Sequence, residues 1–298
     1  MSEHDHHHHH SSENLKVAFF LNLGFTLLEV VGGIWTNSVA ILTDAVHDFG
    51  DSLSLGLAWY FDKYSKREHT PGHTFGYRRY RLLGGLITGV LLLVGLGFVL
   101  YHSIERLSEP AEVRVPGMIA LAVLGIAFNG AAVLRVKHGT SLTEKIVSWH
   151  LIEDTLGWIA VLIGSLVMLF WDLPIIDPIM SIGIAVFVLW NVIRNLGKVG
   201  KVFLQASPEG FDPEEFRRSA EAIEGVESVH HLHSWSVDGE SHVFSAHVVR
   251  KGNPDEDLRI KNEIRALLDE FPFEHVTLEI ENIDDSCPQR PSDQTHED

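Results

Sequence analysis

Long apolar segments separated by short polar connections occupy the first two thirds of the chain, up to about residue 197. A helix needs about 20 mainly apolar residues to cross the hydrocarbon core of a bilayer. Six segments meet that length, and we place them near residues 15–35, 39–61, 80–103, 115–135, 144–170 and 175–196. The pattern therefore predicts a six-helix transmembrane domain over residues 15–200.

After this region the pattern changes to that of a small polar domain. The segment "DPEEFRRSAEAIEG" begins with a capping residue and ends in glycine, as a helix does. Two strand-like segments, "VESVHHLHSWSV" and "ESHVFSAHVVRK", flank "DG", which is typical of a β-hairpin. A second helix and a third strand follow. We predict an α-β-β-α-β domain of the α+β class over residues 208–283, and a disordered tail over residues 284–298.

The positive charges of the connections are distributed unequally. Twelve Lys and Arg residues follow the second, fourth and sixth segments, against two on the opposite side, Arg106 and Arg114. The twelve are Lys63, Lys66, Arg67, Arg78, Arg79, Arg81, Arg135, Lys137, Lys145, Arg194, Lys198 and Lys201. Because cytoplasmic loops carry the excess of Lys and Arg, both termini are predicted to be cytoplasmic.

The net charge of −17 belongs almost entirely to the polar domain. Residues 208–298 contain 23 Asp and Glu against 8 Lys and Arg, which accounts for −15. A nucleic-acid-binding surface would need the opposite sign, so we expect no nucleic-acid partner. The single cysteine, Cys287, excludes an intrachain disulfide. The first apolar segment has neither a basic region before it nor a cleavage site, and we interpret it as a retained anchor.

The second apolar segment carries four ionisable residues, Asp44, His47, Asp48 and Asp51. At 100° per residue they fall within an arc of about 100° on a helix, so they form one stripe. His47 and Asp51, four residues apart, can reach a common point. Ionisable groups inside a membrane cost about 2.5–3.5 kcal/mol each on insertion scales, and they usually mark function.

The fifth segment repeats the HxxxD spacing with His150 and Asp154. Two such pairs supply two imidazoles and two carboxylates, a complete tetrahedral shell that suits Zn²⁺, Co²⁺ or Fe²⁺ better than Mg²⁺ or Ca²⁺. The competing interpretation is a structural network in which these groups pair only with each other. Asp44 and Asp48 are candidates for a relay role, but they could equally face a water-filled cavity without a specific role.

Four stretches resemble the cation diffusion facilitator family, in particular its zinc-type members. They are "SVAILTDAVHDFGDSLSLGLAWY", "GHTFGYRRYRLLGGLITG", "SWHLIEDTLGW" and "VHHLHSWSVDGESHVFSAHVV", and the resemblance spans residues 14 to 283. It implies a homodimeric six-span metal exporter with a metallochaperone-like cytosolic domain, which exchanges a divalent metal for protons. It also implies a transport site at His47, Asp51, His150 and Asp154.

The resemblance suggests further metal sites in the polar parts of the chain. His230, His247 and Glu281 align with positions that bind zinc in relatives; the alternative is that they are exposed polar strand residues. In the loop after the second segment His73 matches one ligand, but Tyr77 occupies the second position. The start, "MSEHDHHHHHSS" within residues 1–14, is either a native metal-chelating segment or a purification tag.

Other polar residues inside the segments have simpler interpretations. Asp177 and Pro178 open the sixth segment, where an N-cap followed by proline is expected. Asn22, Glu29 and Asn129 are expected to line the pathway or to bond between helices.

These features favour a proton-coupled exporter in a bacterial inner membrane. Zn²⁺ is the expected cargo, and Cd²⁺, Co²⁺ and Fe²⁺ are further candidates. A membrane-anchored metal sensor or store would need no ligands in its anchor. An intramembrane metalloenzyme would need a nucleophile or base, and neither HExxH nor GxSxG occurs in the apolar segments. The sequence therefore predicts a transporter rather than an enzyme.

Overall fold

A computed structural model describes the backbone of residues 7–65, 67, 69–136 and 142–283, and the side chains of 19–61, 64, 65, 67, 69–134 and 151–283. The chain divides into two compact units. The first comprises Met1–Lys63 and Leu83–Leu196, and the second comprises Tyr64–Leu82 and Gly197–Asp298. The predicted N-terminal segment lies in part, and the predicted tail 284–298 entirely, outside the described residues.

Six long helices run through the apolar part of the chain. They are α1 (His7–Thr36), α2 (Val39–Ser65), α3 (Tyr80–Ser108), α4 (Val115–Val136), α5 (Leu142–Trp171) and α6 (Ile176–Phe203). Within the described residues, five of the six are long and apolar enough to cross a membrane. Helix α2 is long enough, but its composition excludes it because Asp44, Asp48 and Asp51 interrupt the apolar sequence. Judged by length and composition, five helices rather than the predicted six could cross a membrane.

The helices bury small and bulky residues against each other and expose apolar side chains outward. One cluster packs Phe25, Ile41, Met118 and Trp158 together, while Leu96 and its neighbours form another between α3 and α6. Outward-facing residues such as Phe98, Phe170 and Trp190 are more than 60% exposed. An apolar exterior of this extent matches the hydrocarbon environment of an integral membrane protein.

Close packing of α4 on α5 requires a glycine. A Cβ atom at Gly125 would collide with the indole of Trp158, which is 1% exposed. Since Trp158 lies one turn beyond Asp154 on α5, this contact fixes the position of the segment that carries the second predicted HxxxD pair.

Asp177 differs from its predicted role. Helix α6 begins at Ile176, so Asp177 lies inside it, and its carboxylate caps the start of α2. Its Oδ1 accepts from the Ser38 hydroxyl at 2.5 Å and from the Ala40 amide at 3.3 Å, and Oδ2 accepts from the Val39 amide at 2.8 Å. The carboxylate is fully buried. The predicted local N-cap is therefore wrong: the cap acts between two helices, which sequence periodicity does not indicate.

The second unit contains the predicted α-β-β-α-β domain. Its elements are α7 (Pro213–Glu221), β1 (Val226–Ser236), β2 (His242–Arg250), a 3-10 turn (Pro254–Glu256), α8 (Asp257–Leu268) and β3 (Phe273–Asn282). Strand β2 lies in the centre of the sheet, antiparallel to β1 and parallel to β3. Apolar residues from both helices and the sheet, among them Phe216, Phe244 and Ile260, form the core. The predicted element order is confirmed.

The predicted β-hairpin is present, although its turn is longer than two residues. Asp238 Oδ1 accepts from the amides of Glu240 and Ser241 at 3.0 and 2.8 Å, and Gly239 has φ +98°. The turn therefore uses an aspartate side chain to hold the backbone, together with the positive φ that glycine adopts without strain. This hairpin fixes the pairing of β1 with β2, and with it the position of His230 opposite His247.

Candidate metal sites

The first candidate site lies between α2 and α5 in the helical unit. His47 Nε2 is 3.7 Å from Asp51 Oδ2, on the next turn of α2, and 3.8 Å from Asp154 Oδ1 on α5. The three side chains are partly buried, at 23%, 27% and 12% exposure. One imidazole nitrogen thus faces two carboxylate oxygens contributed by two different helices.

These separations are suitable for a shared cation. Direct hydrogen bonds would bring the heavy atoms to about 2.7–3.2 Å. In a tetrahedral zinc site with bonds of about 2.05 Å, neighbouring ligand atoms lie about 3.3 Å apart. The observed spacings exceed that value by a few tenths of an ångström, so small side-chain rotations would close the shell around an ion.

His150, the fourth predicted ligand, lies on α5 one turn before Asp154. Its side chain is outside the part of the chain that the structure describes. The helical backbone nevertheless places positions 150 and 154 on one face of α5, the face that Asp154 turns toward His47.

Asp44 and Asp48 are buried, at 7% and 6% exposure, on the same stripe of α2. His47, Asp48 and Asp51 each offer a ligand atom within 4.8 Å of the others, so Asp48 approaches the first site. Asp44 points toward α5, where its Oδ1 would lie 4.0 Å from a Cβ at Gly157. Glu29 on α1 interacts electrostatically with both aspartates. The sequence had not connected Glu29 with this stripe, because the contact joins separate helices.

The second candidate site lies on the three-stranded sheet of the second unit, which we call the tail unit. His247 Nδ1 is 2.6 Å from Glu281 Oε1, and His230 Nε2 is 3.6 Å from Glu281 Oε2. All three residues are buried, with no more than 9% exposure. Together His230, His247 and Glu281 offer three ligand atoms within 4.8 Å. Two imidazoles and one carboxylate form a donor set that Zn²⁺ accepts, and the interpretation as exposed strand residues does not fit their burial.

A bulge in β1 enlarges this cluster. His231 has φ +48°, and the pairing with β2 shifts between His230 and His233. The His231 ring consequently lies 5.0 Å from that of His247 and 4.4 Å from that of His233. Burial lowers the pKa of His231, and the neighbouring His233 and His247 lower it further. A lower pKa favours the neutral imidazole, which is the form that binds metal.

Glu279 is a residue that the sequence analysis missed. Its Oε2 lies 3.4 Å from His247 Nε2, although the side chain is 64% exposed. Glu279 precedes Glu281 by two residues, and such positions share one face of a strand. That spacing was the available signal.

His73 is not brought into either group. Its ring stacks on Tyr77 at 4.4 Å, and its backbone pairs with Thr70. Among the residues that the structure describes, the groups of three or more metal-compatible ligands are the two given above, and His73 belongs to neither.

The loop arginines have partners within the tail unit. Arg78 Nη1 donates to Glu274 Oε2 at 2.5 Å and to the Ser241 hydroxyl at 2.6 Å, and Arg81 lies 3.4 Å from Glu240. Positive charges that the sequence analysis used only for topology thus bind carboxylates and a hydroxyl of the acidic domain.

Comparison with known families matches both parts of the chain. A family model described as the cation efflux transmembrane domain matches residues 15–204. A second model, described as the cytoplasmic domain of cation efflux proteins, matches residues 208–283. Together they cover nearly all of the chain between residues 15 and 283.

Curated relatives align over most of their length. The zinc transporter ZitB of Escherichia coli is 32% identical over 91% of this chain and 88% of the relative. The metal cation efflux system protein CzcD of Cupriavidus metallidurans is 30% identical over 93% and 89%. A cadmium, cobalt and zinc/H(+)-K(+) antiporter of Bacillus velezensis is 29% identical over 93% and 91%.

Among solved structures, the metal-bound C-terminal domain of the CzcD transporter is similar to part of the chain. It is 29% identical and covers 24% of this chain and 99% of that structure, with a TM-score of 0.22.

Proposed function

The chain belongs to the cation efflux family, and from this premise we propose that it exports Zn²⁺ in exchange for protons, with Cd²⁺, Co²⁺ and Fe²⁺ as further substrates. It is an integral membrane metal transporter and not an enzyme. The relatives named above transport zinc or other metal cations according to their names, which supports the choice of cargo.

The observation that carries this proposal is the position of His47 between two carboxylates. Asp51 and Asp154 approach the same imidazole nitrogen from α2 and α5 at nearly equal distances. We propose that His150 completes a His₂Asp₂ shell. Because the ligands come from two helices, a small displacement of α2 relative to α5 would open the shell and release the ion, as alternating access requires.

Proton coupling follows from the chemistry of these ligands. A histidine binds metal only when neutral, and a carboxylate only when ionised. Protons that enter the site from one side therefore displace the ion, and an ion that enters from the other side displaces the protons. The name of the Bacillus velezensis relative refers to exchange with H⁺, which supports this mechanism.

The proposed arrangement in the membrane includes α2 as a sixth span. Asp44 and Asp48 are buried within the bundle and Asp51 is only 27% exposed, so the helix can cross the bilayer despite its composition. We propose that both termini are cytoplasmic, in a bacterial plasma membrane as in the bacterial relatives. The model matching residues 208–283 is named for a dimer, which supports a homodimer.

The tail unit is proposed to hold zinc as a resident ion. His230, His247 and Glu281 would bind it, since they lie close together, are buried and offer borderline-soft ligands. The ion would link β1, β2 and β3 and so stabilise the sheet.

The transport site is tested with single substitutions in inverted membrane vesicles. His47→Ala and Asp154→Ala each remove one ligand, and we expect zinc uptake to fall to background, by at least about 100-fold, because even outer-shell changes cost 10–100-fold. Uptake of ⁶⁵Zn per folded dimer is the measurement.

His102→Ala is the matched control. This histidine lies on α3 in the same unit but is 43% exposed beside Glu105, so its removal leaves uptake unchanged. Wild-type flux in either site variant, with the protein folded and dimeric, would rule out the proposed site.

A further inference from the structure

Asn22 on α1 is a polar side chain that the proposed transport site does not use as a ligand. Its Nδ2 atom donates to the backbone carbonyl oxygen of Asp48 at 3.1 Å and to Ser52 Oγ at 3.1 Å, both on α2. Ser52 is only 1% exposed, so water cannot replace the Asn22 amide at its hydroxyl. A single amide group of α1 therefore binds both ends of one turn of α2.

The same segment of α2 carries the two ligands that this helix contributes to the proposed transport site. At about 100° per residue, His47 and Asp51 point roughly 100° away from Asp48 and Ser52 around the helix axis. Helix α1 thus holds α2 from the flank, while Asp154 of α5 lies 3.8 Å from His47 Nε2. A rotation of this turn relative to α1 would break both hydrogen bonds and would turn the two ligands away from α5.

Apolar packing on either side of Asn22 fixes the register of α1 against α2. A Cβ atom at Gly33 on α1 would lie 2.8 Å from the Leu42 side chain, and one at Gly56 on α2 would lie 2.9 Å from the Phe19 ring. Asn22 lies between these two close contacts along the antiparallel pair of helices. The amide consequently meets the same turn of α2 whenever the two helices are packed.

The chemistry of the two hydrogen bonds suits a positioning role. A carbonyl oxygen has two lone pairs, so the Asp48 carbonyl can accept from Asn22 without giving up its bond within the helix. The amide of Asn22 carries no charge and does not titrate. The contact therefore persists whether the neighbouring ligands hold protons or metal.

We propose, on the premise of the proposed function, that Asn22 is a positioning residue that keeps His47 and Asp51 at the rotation and depth from which both reach α5. Zn²⁺ needs its nitrogen and oxygen ligands at about 2.0–2.2 Å in a tetrahedral shell, whereas the larger Cd²⁺ accepts a wider one. Without the amide the turn can relax away from α5. The site should then lose more affinity for Zn²⁺ than for Cd²⁺.

The test measures Zn²⁺ and Cd²⁺ binding to the purified full-length protein by calorimetry, in a His230→Ala, His247→Ala background that removes the proposed tail site. Asn22→Leu keeps the approximate size of the side chain but has no donor. We expect the dissociation constant for Zn²⁺ to rise about tenfold or more, because removal of outer-shell partners costs about 10–100-fold in metal affinity. Asn195→Leu, at an exposed position of α6, is the matched control and should bind both metals as the background protein does.

Ser52→Ala shows whether the effect passes through this contact. It removes one of the two acceptors, so we expect a smaller loss of Zn²⁺ affinity than Asn22→Leu causes. Because the two substitutions break the same hydrogen bond, their combined loss should be smaller than the product of the single losses. If Asn22→Leu is not monodisperse, Ser52→Ala decides the matter, and background affinity for Zn²⁺ in that variant would overturn the proposal.

Three results with a monodisperse Asn22→Leu protein would overturn the positioning role. They are background affinity for Zn²⁺, equal losses for Zn²⁺ and Cd²⁺, and a double variant whose two losses multiply. His47→Ala separates this role from the proposed function, since Zn²⁺ binding that survives His47→Ala would refute the transport site itself. Because binding is measured without flux, a failure of export would be seen separately.

Discussion

At the scale of single residues, burial decides which histidines are chemically unusual. His242, the first residue of β2, is 8% exposed, and its Nδ1 has no partner among the residues that the structure describes. Burial lowers the pKa of His242, and this effect outweighs the backbone hydrogen bond of Ser241 and the charges of Asp238 and Glu274, which act in the opposite direction. Burial of this kind disfavours the charged form of the imidazole in the folded domain.

The lowered pKa of His242 predicts a pH-dependent stability of the tail domain. A histidine in the unfolded chain takes up its proton near pH 6.5, whereas the folded domain resists protonation until a lower pH. Acidification below about pH 6.5 therefore favours unfolding. We expect His242→Gln to lose less protection from hydrogen exchange than wild type when the pH falls from about 7.5 to 5.5. Hydrogen exchange of β2 peptides in the full-length, metal-free protein, corrected for intrinsic rates, measures this difference.

His275→Gln serves as the control for that experiment, since His275 is exposed on β3. It should follow the wild-type pH dependence. Parallel curves for wild type and His242→Gln would contradict the assignment of the effect to His242.

At the scale of helices and strands, contacts between elements position the candidate ligands. The Asp177 carboxylate on α6 fixes the first turn of α2, and three turns further along the helix Asp51 approaches His47. A chain of hydroxyl groups extends this connection, as Ser181 on α6 lies 2.6 Å from Thr43 on α2 and 2.5 Å from Ser103 on α3. The depth and rotation of α2 in the bundle therefore depend on buried polar contacts as well as on apolar packing.

Removal of this cap is expected to destabilise the bundle and impair transport. Asp177→Ala leaves the Ser38 hydroxyl and the amides of Val39 and Ala40 without their acceptor, and loss of a helix cap costs about 0.5–2 kcal/mol. We expect a lower thermal midpoint in detergent and a reduced maximal rate of zinc uptake. Asp177→Asn keeps one acceptor oxygen and should fall between Asp177→Ala and wild type.

Asp172→Asn is the control for the cap, because Asp172 lies exposed in the connection before α6. Its positive φ of +49° is one that asparagine also tolerates. An Asp177→Ala protein with the wild-type midpoint and rate would show that the α2 terminus is held by other contacts.

At the scale of the whole molecule, the chain combines a helical unit that has an apolar exterior with an acidic α+β domain. Each unit carries one group of metal-compatible ligands among its described residues. The two groups differ in their surroundings. The group on α2 is joined by Asp154 of α5, which lies 3.8 Å from His47, whereas the tail group lies on one hydrogen-bonded sheet. Helices can shift relative to each other more readily than paired strands can, so we expect the proposed site on α2 and α5 to release an ion more readily than the proposed site on the sheet.

Proton exchange predicts that a pH gradient alone drives the metal. In proteoliposomes with an acidic interior, protons that leave through the transporter should drive Zn²⁺ inward against its concentration gradient. The reason is that the ligands of the proposed transport site bind either protons or metal. Zinc accumulation followed with a trapped fluorescent indicator measures the effect. A protonophore that collapses the gradient should abolish the accumulation, whereas a rate that is indifferent to the gradient would contradict antiport.

The sequence by itself determined the features that depend on local periodicity. Apolar runs located the long helices to within a few residues at most of their ends, and alternation with turn residues located the three strands. The HxxxD spacing placed His47 with Asp51 and His150 with Asp154, since residues four apart share a helix face whatever the helix packs against. The strand period of two also places Glu279 and Glu281 on one face of β3, although the sequence analysis did not use that signal.

Only the tertiary structure decided which of these faces meet. Ser38 and Asp177 are separated by 139 positions along the chain, and Asn22 and Ser52 by 30, so no local pattern relates them. The bulge at His231 likewise arises from pairing with β2, which shifts the register and brings a further imidazole to His247. Secondary structure follows from neighbouring residues, whereas the convergence of buried charges follows from the packing of elements that are distant in the chain. The free energy of that packing depends on all the elements together and cannot be inferred from a short segment.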